Sequence, residues 1–535
     1  MKKITYLALS LLMVSASCTD NFEEINTDPN RTSATVFNPN YLLSQAQFEY
    51  SNTGYSQLLF QSMWSQVLAS TFSYYGNGDK YVASGSFEAY KGRVFEETYR
   101  AASLAYEMGE LAKVRPELTN LVHISTIMKV LCLSRITDVY GDVPYSEALR
   151  AKEGITTPVY DEQSKIYPAM LADLEKAVAG INTSASAPTT DLMFGGDLNK
   201  WIRFGNSLML RLAMRLTKVD PAAAKTWAEK AFAGGVFTSV TDNAIVKTDA
   251  AAQGGNNTTN ALRVGDDYRE VRWSKTFIDY LRSTNDPRIS AIAEVSQPGL
   301  ANNSNQELPG NNNATIQIGL PNGFDLSGGN FDIRRHPNYP GPSGSGADVA
   351  PVGNYSRPRT SVYLDRSGVN FVLTYAEVEL LLAEAKVRGY NVGTPTAATR
   401  YANGVRAAAE SLRQFNSATS SDAAINTAIS QMTSYLAANP LNTTSNEASI
   451  KQINEQIWVT TGTTFNFIES WNNWRRSGFP SLTSVAFPNG FSNGQIPRRV
   501  PYKLTEASFN GANYNAAVAR LSGGDTFTAR VWWDK

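Results

Sequence analysis

The residues able to do chemistry are few in this chain. Among 535 residues there are two histidines, His123 and His336, and two cysteines, Cys18 and Cys132. With no H-E-x-x-H or C-x-x-C spacing, nothing supports zinc. No G-x-S-x-G elbow and no Walker loop occurs. Glycoside hydrolysis needs two carboxylates about 5–10 Å apart across a sugar. The 48 acidic residues supply chance candidates, but no spacing selects a pair. These residues point to binding without catalysis, metal or cofactor.

Aromatic residues say more. Phe, Trp and Tyr make up 11% of the chain, including 25 tyrosines, and most must be core. Phe72 to Tyr81 (FSYYGNGDKY) sets Tyr74, Tyr75 and Tyr81 around a Gly-Asn-Gly-Asp turn signal just after a helical run. Tyr268 and Trp273 lie in GDDYREVRW, near a loop-to-helix junction. An aromatic ring on a polar loop offers a flat apolar face with a hydrogen-bonding edge, which suits sugar rings or peptide side chains. The competing reading folds the three tyrosines back over the helix end. If all these rings are packing, the site falls to the Pro321 to Gly353 loops. Trp471 and Trp474, in WNNWRRSGFP, read as packing.

Cys18 has a different setting. Lys2 and Lys3 precede an uncharged apolar run, Ile4 to Val14, followed by Ser15, Ala16 and Ser17. This is the layout of a secretory signal peptide, and the run is shorter than the ~20 residues that cross a bilayer. A lone cysteine after small residues resembles a bacterial lipobox, although Ser15 stands where an aliphatic residue is usual and Val14 falls one step early. Acyl chains on Cys18 would contribute about 0.8 kcal/mol per buried methylene, and more than one chain makes anchoring stable. Cys132, in an apolar stretch, reads as a small buried hydrophobe.

The elements that must position any site are mainly helices joined by long loops. Apolar residues in Val122 to Tyr140 recur on a helical face, with Gly141 and Pro144 as stop signals. Trp201 to Leu216 is apolar on nearly all sides and predicts a central buried helix. Its Arg211 and Arg215 form a solvated or ion-paired stripe. Thr374 to Glu377 is a capping box. The helix it opens and the alanine-rich segment around Tyr401 make an αα-hairpin, the unit of tetratricopeptide stacks. Residues 251–260, 301–313 and 337–353 are rich in Asn, Gly, Pro and Ser and predict irregular loops. Lys+Arg 48 against Asp+Glu 48 leaves no net charge and no footprint for nucleic acid. No later apolar run is of spanning length, and no interdomain linker is evident.

The tether CTDNFEEINTDPN and then LSRITDVYGDVPYSEAL, YDEQSKIYPAMLADLEKA, WIRFGNSLMLRLAMRL, TYAEVELLLAEA, WNNWRRSGFP, IPRRVPY and VWWDK occur in this order. They resemble landmarks of the SusD/RagB family, in its branch with an N-T-D-P-N tether, from Cys18 to Lys535. The resemblance implies a signal peptide over 1–17, a lipidated flexible tether over 18–30 and a single helical domain over 31–535. It implies a mainly α fold, a tetratricopeptide-like scaffold of helix pairs whose long irregular loops bind ligand. It further implies a lipid anchor at the outer-membrane surface and a partner SusC-like TonB-dependent transporter. Oligosaccharide is the expected ligand, with peptide as an alternative, and no chemistry is performed. A surface adhesin or structural lipoprotein would need no transporter. Family ligand residues lie in variable loops, so none transfers to this chain.

Overall fold

The computed structural model describes residues 36–85, 87–248, 262, 265–304 and 308–535. The leader, Cys18 and the tether lie outside the described residues, as does the loop 251–260. Residues Asn40–Lys535 form one compact unit; Met1–Pro39 is a second, of which only 36–39 are described. Among the described residues, no helix is long and apolar enough to cross a membrane.

Helices of ten residues or more are numbered here in chain order. They are α1 (Asn40–Ser51), α2 (Phe87–Lys113), α3 (Thr119–Tyr140), α4 (Gln163–Gly180), α5 (Leu198–Arg215) and α6 (Pro221–Ala233). After long loops come α7 (Tyr375–Val387), α8 (Ala397–Ser411), α9 (Ala423–Ala438), α10 (Asn446–Thr463), α11 (Phe467–Ser477) and α12 (Gly511–Arg520). Neighbours in sequence pack as pairs: α2 with α3, α5 with α6, α7 with α8, and α10 with α11. The expected mainly α, paired-helix scaffold is what the chain forms.

Local signals set these helices. Asp197 caps α5 by accepting from the N–H groups of Asn199 (2.9 Å) and Lys200 (3.2 Å). Thr374 Oγ1 accepts from the N–H of Glu377 at 3.2 Å, so half of the capping box forms. The other half does not, because the Glu377 carboxylate is taken by Arg211, whose Nε and Nη2 donate to it at 2.6 and 2.7 Å. Arg215 donates to Glu469 at 2.6 Å and lies 3.2 Å from Asp138. The two arginines of the α5 stripe are thus buried and ion-paired, not solvated. Arg476 Nη1 and Nη2 each donate to Glu384 at 2.8 Å. These buried pairs tie α3, α5, α7 and α11 into one core. Cys132 is buried in α3, and burial pushes its thiol up to about 12, which keeps it inert.

Among the described residues, three two-stranded antiparallel sheets join the loops to the scaffold. They pair β1 (Leu68–Ser70) with β3 (Val271–Trp273), β2 (Ala244–Val246) with β6 (Asn370–Leu373), and β4 (Ala293–Val295) with β5 (Ser356–Pro358). In the first, Leu68 lies opposite Trp273. The described residues of the stretch 301–313 are less irregular than its composition predicts. A short helix covers Leu300–Ser304, and Asn311 bridges to Val295.

Candidate functional site

Four of the five aromatic candidates are core residues, a correction to the open-loop reading. Tyr75, Tyr81, Tyr268 and Trp273 are buried, none more than 1% exposed. The Gly-Asn-Gly-Asp signal does mark a turn, but the turn is pressed into the molecule. Gly76–Asp79 is one helical turn in which a Cβ on Gly78 would lie 2.3 Å from the Leu59 carbonyl oxygen. Only glycine allows that approach, and it draws Tyr75 and Tyr81 inward. Tyr268 donates its hydroxyl to the Pro358 carbonyl (3.0 Å) beneath the Arg357 guanidinium. Trp273 ends strand β3, paired with β1, just before the helix Lys275–Ser283. Its ring stacks on Phe277 at 5.1 Å, and its N–H donates to Ile292 at 3.1 Å.

Tyr74 alone keeps a partly exposed ring. It lies in an aromatic group with Tyr55 (6.2 Å), Phe72 (6.2 Å) and Tyr90 (6.0 Å), all partly exposed.

The buried turn has a second effect, because it positions a loop cleft. Asp79, 1% exposed, accepts from the Asn322 side-chain amide (2.8 Å), the Gly323 N–H (2.9 Å) and the Ser70 N–H (3.1 Å). Burial raises its carboxyl above the ordinary range, against the opposing pull of Lys80 and these donors. The Asn322 amide also donates to the Leu68 carbonyl at 2.9 Å. The loop that starts at Pro321 is thereby pinned to β1. Across from it, Gln66 holds the 483–486 segment: its amide donates to the Thr483 carbonyl, and its Oε1 accepts from Thr276 Oγ1 at 2.9 Å.

Between these walls is a cleft of about 340 Å³. Phe324 and Phe331 give it two partly exposed rings, with Lys275, Thr276, Thr483 and Ser484 as polar rim. Phe331 packs against Phe487 (4.8 Å) and Phe324 against His336 (5.2 Å), which fixes both ring planes. Burial, with Lys275 adding to it, lowers the His336 imidazole below its ordinary value, so that ring is neutral at pH 7. Lys275 is itself paired with Asp279. The described residues lining the cleft include no carboxylate. What such a lining can do is stack and hydrogen-bond a neutral ligand. Among the described residues no group of His, Cys, Asp and Glu could hold a metal ion.

Phe324 and Phe331 carry no local signal that separates them from packing residues. The one clue is their place in the proline- and glycine-rich stretch 321–353, the fallback position for the site. Among the described residues there are larger clefts, of about 560, 720 and 790 Å³. None of these is built by that loop.

Among curated proteins, none matches the chain. Solved structures do. A chitin-binding protein is 28% identical, with a TM-score of 0.75 over 93% of this chain and 100% of its own. A Bacteroidetes SusD-like protein is 24% identical, with a TM-score of 0.76 over 93% and 100% of the two chains. A chitin-binding SusD homolog from Flavobacterium johnsoniae is 22% identical, with a TM-score of 0.70 over 92% and 98%; these last two likenesses show the fold. Residues 29–503 match the SusD-like family described as starch-binding and associating with the outer membrane. A match over so much of the sequence, with the paired-helix fold to go with it, makes this chain a member of the SusD-like family.

Proposed function

We propose that this protein captures oligosaccharides at the cell surface, held there by acyl chains on Cys18, and passes them to a SusC-like TonB-dependent transporter without altering them. The observation that carries the reading is the cleft between the 321–331 and 483–487 loops, where two fixed phenyl rings meet a polar rim that holds no carboxylate among the described residues. A sugar presents an apolar C–H face and an equatorial ring of hydroxyls, and that pairing matches rings beside hydroxyl and amide groups. A matching relative that is chitin-binding and the starch-binding description of the family support a glucan or an N-acetylglucosamine polymer over peptide.

Calorimetric titration against malto-oligosaccharides, chito-oligosaccharides and mixed peptides tests this. One saccharide series should bind, Phe331→Ala should weaken it about tenfold, and the sugar should be recovered intact. One well-used ring contributes on the order of 1–2 kcal/mol. Peptide binding with no saccharide binding would assign the cleft to the alternative ligand. Gentle detergent extraction should also co-purify a TonB-dependent transporter in roughly equal amount. Recovery only as a free lipoprotein would favour the adhesin.

A further inference from the structure

The scaffold encloses a small cavity between α1, α3, β6 and the turn 464–466 that joins α10 to α11. About 20 Å³ of it is open to a water-sized particle, and roughly 10–15 Å³ is enough for one. It therefore suits a single water or a monatomic ion of similar size. Tyr50, Gln57, Phe371, Phe415 and Asn466 are among its walls, each more than nine-tenths buried. One wall is charged. Arg135, 6% exposed, lines the cavity, and the described lining holds no carboxylate.

Neighbouring arginines of the core have carboxylates of their own: Arg211 has Glu377, Arg215 has Glu469 and Arg476 has Glu384. Arg135 has none within 4 Å among the described residues. Glu469, whose charge it feels, is held by Arg215 at 2.6 Å. The Arg135 guanidinium instead stacks on the Tyr50 ring at 3.4 Å, and its Nη1 donates to the Tyr50 carbonyl (2.7 Å) and the Thr53 hydroxyl (3.0 Å). Its Nε and Nη2 donate to no described group. They are not sealed off, in contrast to Arg288 Nη1 and Arg475 Nε, which are buried outright without a partner.

Arginine cannot shed its proton in a protein, and a charge left uncompensated in apolar surroundings is costly. A water offers only its dipole. A small anion cancels the charge and accepts charge-assisted hydrogen bonds from the free donors. Sulfate, phosphate and carboxylates are too large for the space, and Arg135 repels cations. We infer that this cavity binds one chloride ion, with the Arg135 guanidinium as its principal ligand. Bound there, chloride ties β6 and the 464–466 turn to α3, and it favours the folded chain increasingly as its concentration rises. The site is independent of the saccharide cleft.

Crystals of the full chain grown in bromide, with anomalous diffraction at the bromine edge, test this together with thermal unfolding in chloride, bromide and gluconate at equal ionic strength. An anomalous peak should lie beside the Arg135 guanidinium. The melting temperature should rise with the logarithm of chloride or bromide concentration and stay level in gluconate. Arg135→Met keeps an unbranched side chain without the charge and should remove that dependence. If this variant does not fold, the bromide map and the halide dependence of the parent protein decide. A cavity without anomalous signal overturns the inference. Equal melting in chloride and gluconate also overturns it, and leaves any peak as an adventitious ion only. Halide stabilisation that survives in Arg135→Met puts the anion elsewhere, and the inference fails.

Discussion

Gly323→Ala is the sharpest probe of the loop cleft. Gly323 has φ +87°, and an added Cβ would sit 2.6 Å from Val485 Cγ1, the facing wall. The left-handed conformation costs an alanine about 1–2 kcal/mol. The overlap adds about 1–3 kcal/mol, as other overpackings do. Gly328 supplies the control. It has φ +86° and ψ 179° in the same loop, a region nearly reserved for glycine, with nothing within 4 Å of an added Cβ, so Gly328→Ala strains the backbone without the collision. A binding loss confined to Gly323→Ala therefore reports moving one wall against the other. If ligand requires the native gap, re-closing it costs about 1–3 kcal/mol, roughly 5–150-fold in affinity. The melting temperature should fall by only several degrees in either variant, since 1 kcal/mol shifts melting by only about 2–4 °C in domains of 150–250 residues and less in one this long. Titration with the best-binding oligosaccharide, paired with thermal unfolding, reads both effects. Gly323→Ala should bind at least fivefold more weakly, and Gly328→Ala within about twofold of the parent. Equal losses in the two variants, or normal binding by Gly323→Ala, would refute the placement of the site.

Other outcomes follow from the same geometry. Trp273→Ala should cost about 3–5 kcal/mol in chemical denaturation, because that ring is fully buried; a near-neutral result would contradict its core placement. Glu384 is buried, which raises its carboxyl, but Arg476 and Arg388 overcome this and hold it at about 2. A carboxyl lower in the folded than the unfolded state stabilises above its unfolded value and loses that contribution as pH falls towards the folded one. Stability should therefore drop between about pH 4.5 and pH 2, and Glu384→Gln should flatten that drop at a cost of about 3–5 kcal/mol at neutral pH. Cys18→Ala should fold normally but fail to incorporate labelled fatty acid and leave the membrane fraction; a variant still firmly membrane-bound would refute the anchor.

What could be read in the sequence was what is decided within a few residues. Helical periodicity, the Thr374 cap and the buried character of α5 depend on neighbours three or four positions away, and they emerged as expected. The fate of Glu377 did not, since its partner Arg211 is 166 positions distant. The aromatic candidates failed for a related reason. Gly-Asn-Gly-Asp locates a turn correctly, but whether a turn faces water depends on what stands opposite. Here Leu59 stands opposite Gly78. Phe324 and Phe331 were reachable only as members of a loop too long and too glycine-rich to be idle, because nothing local distinguishes a ring that lines a cleft from one that fills a core.

The buried ion pairs of the scaffold have a consequence for the integrity of the polypeptide. Arg215 reaches Glu469 across 254 positions, and Arg475 reaches the Asp138 carbonyl across 337. Both bonds, like that of Arg211 to Glu377, join a residue before the 321–353 loop to one after it. A protease that cut the exposed Gly328–Gly329 tip would sever the chain without freeing either piece, since separation would strand several unpaired charges in apolar surroundings. The nicked protein should run as two fragments in denaturing gels and as one particle in solution. A lineage could open, lengthen or replace that loop to meet a new nutrient while the two halves continue to hold each other.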